Sequence, residues 1–271
     1  MGVSALDLRR RSVRDRRDLG LDGVDLDAEE RGRAVSSWRG RMVSEYVSAR
    51  VFAALVPQAM RASLPHRSVR DLTRMATEEI SHAELCADVL VNLDAEPLAP
   101  MPTDLPDVPE HRDADPLEAL LRNVIAVGCC SETVAVALVG AERELAATPA
   151  LADLLRTILR DEVGHARFGW RLLEQTAGAL SAAQRRRLSF HLVTIFRHQL
   201  ATYTPLRDLP AASDQASSVG VMDGPRSFHL VAETLAKVTV PGLARHGLEA
   251  DRALREATSS GAPEARASRA G

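Results

Sequence analysis

The stretch RDEVGHARFGW, Arg160 to Trp170, decides the fold. Its core is Glu162 followed three residues later by His165. On an α-helix, residues three apart share a face about one turn apart, so a carboxylate and an imidazole at that spacing can grip one metal ion. An earlier stretch, TEEISHAEL from Thr77 to Leu85, repeats the arrangement with Glu79 and His82. One Glu-x-x-His pair arises easily by chance in a chain with eight histidines, so the weight falls on where the pairs sit.

Working outward, helical periodicity runs from about Asp27 to Ala179. The first helix is expected from the Asp27 region to about Leu55, with the stripe Trp38, Met42, Glu45, Ala49, Phe52, Val56. The second covers roughly Ser68 to Leu93, with Leu72, Met75, Glu79, His82, Cys86, Val89, Leu93 facing inward. The segment from Glu96 to Pro116 holds six prolines and no helical period, so it reads as a loop, long enough to cross from one end of a bundle to the other. Pro116 then suits the first position of a third helix reaching about Ala147, with the stripe Leu121, Ile125, Gly128, Glu132, Val136, Val139. Pro149 opens the fourth, whose stripe is Leu151, Leu155, Ile158, Glu162, His165, Gly169, Leu172. Four otherwise apolar seams thus each carry acidic residues, two of them with a histidine. Burying a carboxylate without a partner costs several kcal/mol, so four in one core call for cations.

The two halves resemble each other. SEYV from Ser44 corresponds to SETV from Ser131, and EEISHA from Glu78 to DEVGHA from Asp161. A repeated helix pair, each supplying Glu and then Glu-x-x-His, implies a site of approximate two-fold symmetry, suited to two ions.

Glu45, Glu79-Ile-Ser-His82, Glu132 and Glu162-Val-Gly-His165, split by a long crossover, resemble the ferritin-like di-iron carboxylate proteins. The resemblance covers roughly residues 27–179 and implies an all-α four-helix bundle with a crossover between helices 2 and 3. It implies that Glu79 and Glu162 bridge or chelate, that Glu45 and Glu132 are more terminal, and that His82 and His165 each bind one ion. It further implies that Glu78 and Asp161 orient the histidine of the opposite pair as hydrogen-bond acceptors. The cofactor expected is two iron ions, or an iron–manganese pair, since hard carboxylates with imidazole and no thiolate favour these metals. The activity implied is an O2-dependent oxidase or oxygenase acting on a small organic substrate. Iron oxidation and handling, and a helical interaction module braced by metal, are the alternatives.

The chain departs from several subgroups. Ala135 stands where rubrerythrin-like proteins carry a further Glu, and Cys86 where the ribonucleotide reductase small subunit carries its radical Tyr. Val136 replaces a monooxygenase Thr, and Ile158 the additional His of arylamine N-oxygenases. Small side chains one turn beyond the ligands, Ala49, Cys86, Val136 and Gly169, are expected to leave an apolar pocket or to allow close helix packing.

The rest of the 271 residues is less pointed. Residues 1–26 hold RRRSVRDRR with no apolar run after it, and read as a mobile charged leader, not a signal segment. A fifth helix is expected from about Ala182 to Tyr203, with His191 and His198 on one side, in packing or exposed positions. A loop or lid is expected from Pro205 to Gly224, then helix from about Arg226 to Glu256 bent at Val240–Gly242. Residues 182–257 are thus accessory helices in a single domain over 27–258, and 259–271 form a disordered tail. The net charge of −3 and the scarcity of aromatics argue against nucleic acid, and no uninterrupted apolar run of membrane-spanning length occurs. Cys86, Cys129 and Cys130 form no CxxC, which fits a reducing cytoplasm. No flavin, nicotinamide or iron–sulfur motif is visible, so electrons are expected from an external donor. A homodimer is one assembly compatible with the sequence, which does not fix the oligomeric state.

Overall fold

A computed structural model describes residues 5–10 and 16–259. Two long helices, α1 (Ala28–Arg61) and α2 (His66–Asn92), pack along each other. A crossover then leads to α3 (Pro116–Val124), a π-helical segment (Ile125–Ser131) and α4 (Glu132–Leu145), and α4 packs along α5 (Pro149–Ala177). Contacts between α1 and α3 and between α2 and α5 join the two pairs. The chain continues through α6 (Ala182–Arg207), α7 (Asp214–Ser218), α8 (Gly224–Thr234), a second π segment (Leu235–Thr239), α9 (Val240–Ala244) and α10 (Ala250–Ser259).

Local chemistry accounts for the helix starts. Asp27 caps α1 in a capping box, accepting from the Glu30 N–H at 2.8 Å while the Glu30 carboxylate accepts from the Asp27 N–H. Asp115 and Thr148 cap α3 and α5, each followed by a proline at the first helical position, where a missing N–H costs nothing. Ser181 and Gln184 form a second capping box on α6.

The core falls into two apolar clusters with a charged layer between them. Phe52, Leu55, Leu72, Met75, Cys129 and Leu172 belong to one; Trp38, Met42, Cys86, Leu90, Leu155 and Ile158 belong to the other. On α1, α2 and α5 the ionisable inward residues lie between a residue of one cluster and a residue of the other. By length and composition alone, Pro116–Leu145 is apolar enough to cross a membrane. In the fold, Leu120, Leu121, Val124, Ile125, Cys129 and Cys130 are core residues, which accounts for that apolarity.

Two expectations need correction. Within the segment read as a mobile leader, Ala5–Asp7 forms a strand, β1, antiparallel to β2 (Leu98–Pro100), with Leu6 facing Ala99. Leu6, Leu19 and Leu21 are buried in the second cluster, and the Leu19 N–H donates to the Asn92 side chain. Three leucines scattered among charges give no periodic signal, and their partners lie far along the chain. The crossover consequently holds one short strand where none was expected. The predicted tail lies outside the described residues beyond Ser259, which ends α10.

Candidate metal centre

Four helices deliver the charged layer: α1 supplies Glu45, α2 supplies Glu78, Glu79 and His82, α4 opens on Glu132, and α5 supplies Asp161, Glu162 and His165. The π segment ends immediately before Glu132. A π turn carries an extra residue, which rotates everything after it by roughly 100° relative to a regular α-helix. Past the bulge the predicted seam keeps Glu132 and Val139 buried, while Val134 is fully buried and Val136 only half-buried.

All six predicted ligands converge. Glu45, Glu79, His82 and Glu162 form one group, and Glu79, Glu132, Glu162 and His165 a second, each offering ligand atoms within 4.8 Å of one another. Glu79 and Glu162 belong to both. Glu162 turns Oε1 to His82 Nδ1 at 3.1 Å and Oε2 to His165 Nδ1 at 3.5 Å. Glu79 turns Oε1 to His165 Nδ1 at 3.0 Å and Oε2 to His82 Nδ1 at 3.8 Å. Glu45 approaches only His82, at 3.7 Å, and Glu132 only His165, at 3.5 Å. Two carboxylates, Glu79 and Glu162, are thus shared between the groups, and two, Glu45 and Glu132, stand at the ends.

The outer ring nitrogens are held from behind. Glu78 lies 3.0 Å from His165 Nε2, and Asp161 lies 3.4 Å from His82 Nε2, so each carboxylate meets the histidine of the other pair. Arg74 donates to Glu78 at 2.6 Å and Arg160 to Asp161 at 2.9 Å, which completes two matching chains of arginine, carboxylate and imidazole. A proton on each Nε2 leaves the Nδ1 lone pair directed into the cluster. Both Nδ1 atoms are buried with no hydrogen-bond partner. The nearby carboxylate oxygens are close enough but lie outside hydrogen-bonding geometry. Two orphaned imidazole nitrogens facing four carboxylates form a donor set that fits two hard divalent cations.

The electrostatics carry the same message. Burial, reinforced by Glu162 and Glu79, pushes the Glu45 carboxyl up to about 8, and burial with Glu162 raises Glu132 well above the ordinary range. Burial also opposes ionisation of Glu162, but His165 and His82 outweigh it and hold this group below the usual carboxylate range. Burial opposes charge on His165, yet the carboxylates of Glu132, Glu162 and Glu79 push it up to about 12. Without cations, the cluster holds its charges together by retaining protons.

A cavity of about 650 Å³ opens onto one side of the cluster, between α1, α4 and α6 and beneath the 208–223 segment. Glu45, Glu79, Glu132 and Glu162 form its base, whereas neither ligand histidine reaches it. The four residues proposed as pocket formers, Ala49, Cys86, Val136 and Gly169, do not line it. Cys86 is fully buried, and Gly169 serves close packing, its Cα side pressed against the Gly128 backbone. The residues that do line it were missed: Arg41, Ser44 and Ser48 on α1, and Gln199 and Tyr203 on α6. Ser48 stands three residues after Glu45 and four after Ser44, both helical-face spacings that were available in the sequence. His198, expected in a packing or exposed position, is exposed at the cavity rim. The segment expected as a lid is stitched to α1: Trp38 donates to the Val219 carbonyl at 2.7 Å, and Arg33 to the carbonyls of Pro210 and Ala211. Gly220, at φ +86°, sits where any Cβ would strike the Trp38 ring.

No protein-family model matches the chain, and no curated protein matches it. A solved structure from Synechococcus, described as protein 19 with aldehyde deformylating oxidase activity, aligns over 86% of this chain and 98% of that one. The TM-score is 0.57 and the sequence identity 20%. The fold is the ferritin-like helical bundle. At that identity the likeness concerns architecture, and the paired carboxylate–histidine groups are this chain's own evidence for metal.

Proposed function

We propose that the protein is a non-haem oxidoreductase with a dinuclear iron, or iron–manganese, centre that uses O2 to oxidise a small organic substrate. The observation that carries this reading is the pair of orphaned Nδ1 atoms facing two shared carboxylates, with the carboxylate side of the cluster opening on the cavity. Glu45, Glu79, His82 and Glu162 would hold one ion, and Glu79, Glu132, Glu162 and His165 the other. When bound, such a pair supplies two-electron reduction of O2 and oxidation of a neighbouring substrate.

The chain's own residues set the conditions for that chemistry. Glu78 and Asp161 keep the imidazole rings turned with Nδ1 inward. The apolar clusters above and below the layer exclude water from the histidine side, so access is from the cavity. That cavity favours substrate chemistry over iron storage, and the described activity of the Synechococcus neighbour supports an oxidase or oxygenase in general. We place the electron source in a separate protein, and the three free, buried cysteines agree with a reducing compartment.

The test is O2 uptake by iron-loaded protein supplied with a chemical reductant, compared with Glu162→Ala. Uptake that requires Glu162 and stops at two irons per chain supports the proposal. Iron accumulating well beyond two equivalents would move the function to iron handling, and bound iron without O2 uptake would move it to a structural role.

A further inference from the structure

Helix α6 supplies no metal ligand, yet it forms one wall of the cavity over the cluster. Gln199, buried on α6, donates from Nε2 to the Ser131 hydroxyl at 2.7 Å, and Ser131 immediately precedes Glu132. That bond fixes α6 against the start of α4. Residues four apart share a helix face, so Tyr203 follows Gln199 into the cavity, whose base is Glu45, Glu79, Glu132 and Glu162. Its ring packs against the apolar cluster that holds Phe52, Cys130 and Phe196, which leaves the hydroxyl as its polar end.

Among the described residues, no hydrogen bond engages the Tyr203 hydroxyl, whereas its neighbours in the lining are committed: Gln199 to Ser131, and Thr202 to the His198 carbonyl. A serine on a helix can turn its hydroxyl back to a carbonyl one turn earlier, an option open to Ser44 and Ser48 but not to a phenol. Sheltered tyrosine hydroxyls ordinarily find a partner. Burial and the carboxylates of Glu132, Glu45 and Glu162 push this phenol up to about 12, so its proton stays on oxygen at neutral pH and the group remains a donor. Glu45 belongs to one ligand group, Glu132 to the other and Glu162 to both, so the hydroxyl faces the whole cluster. The histidines hold the far side, and a small molecule reaches metals bound there only through the cavity that Tyr203 lines.

We propose that Tyr203 is the hydrogen-bond donor for whatever occupies the cavity face of the metal pair, and that it favours small ligands presenting an anionic oxygen or nitrogen acceptor there. A charged acceptor takes the stronger hydrogen bond from a neutral donor, and a hydrocarbon takes none. The proposal rests on the metal reading, and it names a residue and a ligand chemistry for the open side of that site.

The test is titration of the iron-loaded, oxidised full-length chain with azide, a small anion whose iron complex absorbs visible light, with iron quantified on every sample. Tyr203→Phe, which keeps the ring and its packing, should bind azide about tenfold or more weakly than wild type at unchanged iron content. The visible azide band should also move, because the hydroxyl withdraws charge from the bound anion. Thr202→Ala, the adjacent change on α6, should stay within about twofold of wild type. A merely structural Tyr203 predicts lower stability or lower iron content in Tyr203→Phe with azide affinity and band unmoved. Azide affinity in Tyr203→Phe within about twofold of wild type at full iron content overturns the proposal and leaves the metal reading standing. An equal loss in Thr202→Ala assigns the effect to α6 packing and overturns it as well. Wild type that binds no iron overturns the metal reading, and this proposal with it.

Discussion

Replacing Gly169 with alanine should destabilise the protein, although alanine is the better helix former. A Cβ built there lies 2.7 Å from both Cα and C of Gly128 and 3.0 Å from the Cys129 nitrogen. All three atoms are backbone, so no side chain can swing away. Ordinary contact begins near 3.4 Å, which requires α5 and the π segment to part by about 0.7 Å. Overpacking of this kind costs roughly 1–3 kcal/mol, and the helix-propensity gain returns up to about 1 kcal/mol. With the full propensity gain set against it, the net loss reaches up to roughly 2 kcal/mol, a fall in Tm of up to about 8 °C for a chain of this size. The strain falls one turn after His165 and one turn before Glu132, so the gap between two ligand helices widens with it. Thermal melts of metal-free protein followed by circular dichroism measure the effect. Gly164→Ala is the control, because a Cβ at Gly164 meets nothing within 4 Å and should hold or raise Tm. Gly169→Ala melting at or above wild type would refute the close-packing account of this glycine and of the adjoining π segment.

Three further outcomes follow from the cluster. Metal-free protein should lose stability as pH rises between about 5 and 8.5: Glu45, raised to about 8, and the raised Glu132 and His165 bind more protons folded than unfolded across that range, and the lowered Glu162 acts only at more acid pH. Melting temperatures at the two ends of the range check this, and a rise in metal-free Tm would contradict it; stabilisation by added Mn(II) should show the opposite slope, since metal must displace those protons. Glu78→Gln and Asp161→Asn should each weaken Mn(II) binding roughly 10–100-fold in equilibrium titrations while the fold persists, because each loosens the ring orientation of one histidine. His198→Ala, at the exposed rim of the cavity, should leave metal content unchanged by elemental analysis.

The bundle and all six cluster residues were legible because burial and charge conflict so plainly at those positions. Glu79, His82, Glu162 and His165 sit in stripes of Leu, Met and Ile, and a conflict of that kind has few physical resolutions. The cross-pairing of Glu78 with His165 and Asp161 with His82 was legible through the resemblance. The pocket was not. One-turn spacing from a ligand locates neighbours along the same helix, but Gly169 and Cys86 look toward apolar packing, whereas the open side is set by how α6 lies across α1 and α4. That placement depends on contacts distant in sequence, as does the burial of Leu6, Leu19 and Leu21. The π bulge was also hidden, since nothing in the sequence of Ile125–Ser131 marks it and the predicted stripe still places Glu132 and Val139 inside.

The central claim is a pair of metal ions sharing Glu79 and Glu162. Iron-57 Mössbauer spectroscopy of the reconstituted, oxidised protein, with iron and protein quantified on the same sample, tests it most directly. Two ferric ions per chain, magnetically coupled into a diamagnetic ground state, are expected, with loss of that coupled signal in Glu162→Ala. An uncoupled mononuclear ferric spectrum, or less than one iron per chain after reconstitution, would contradict it.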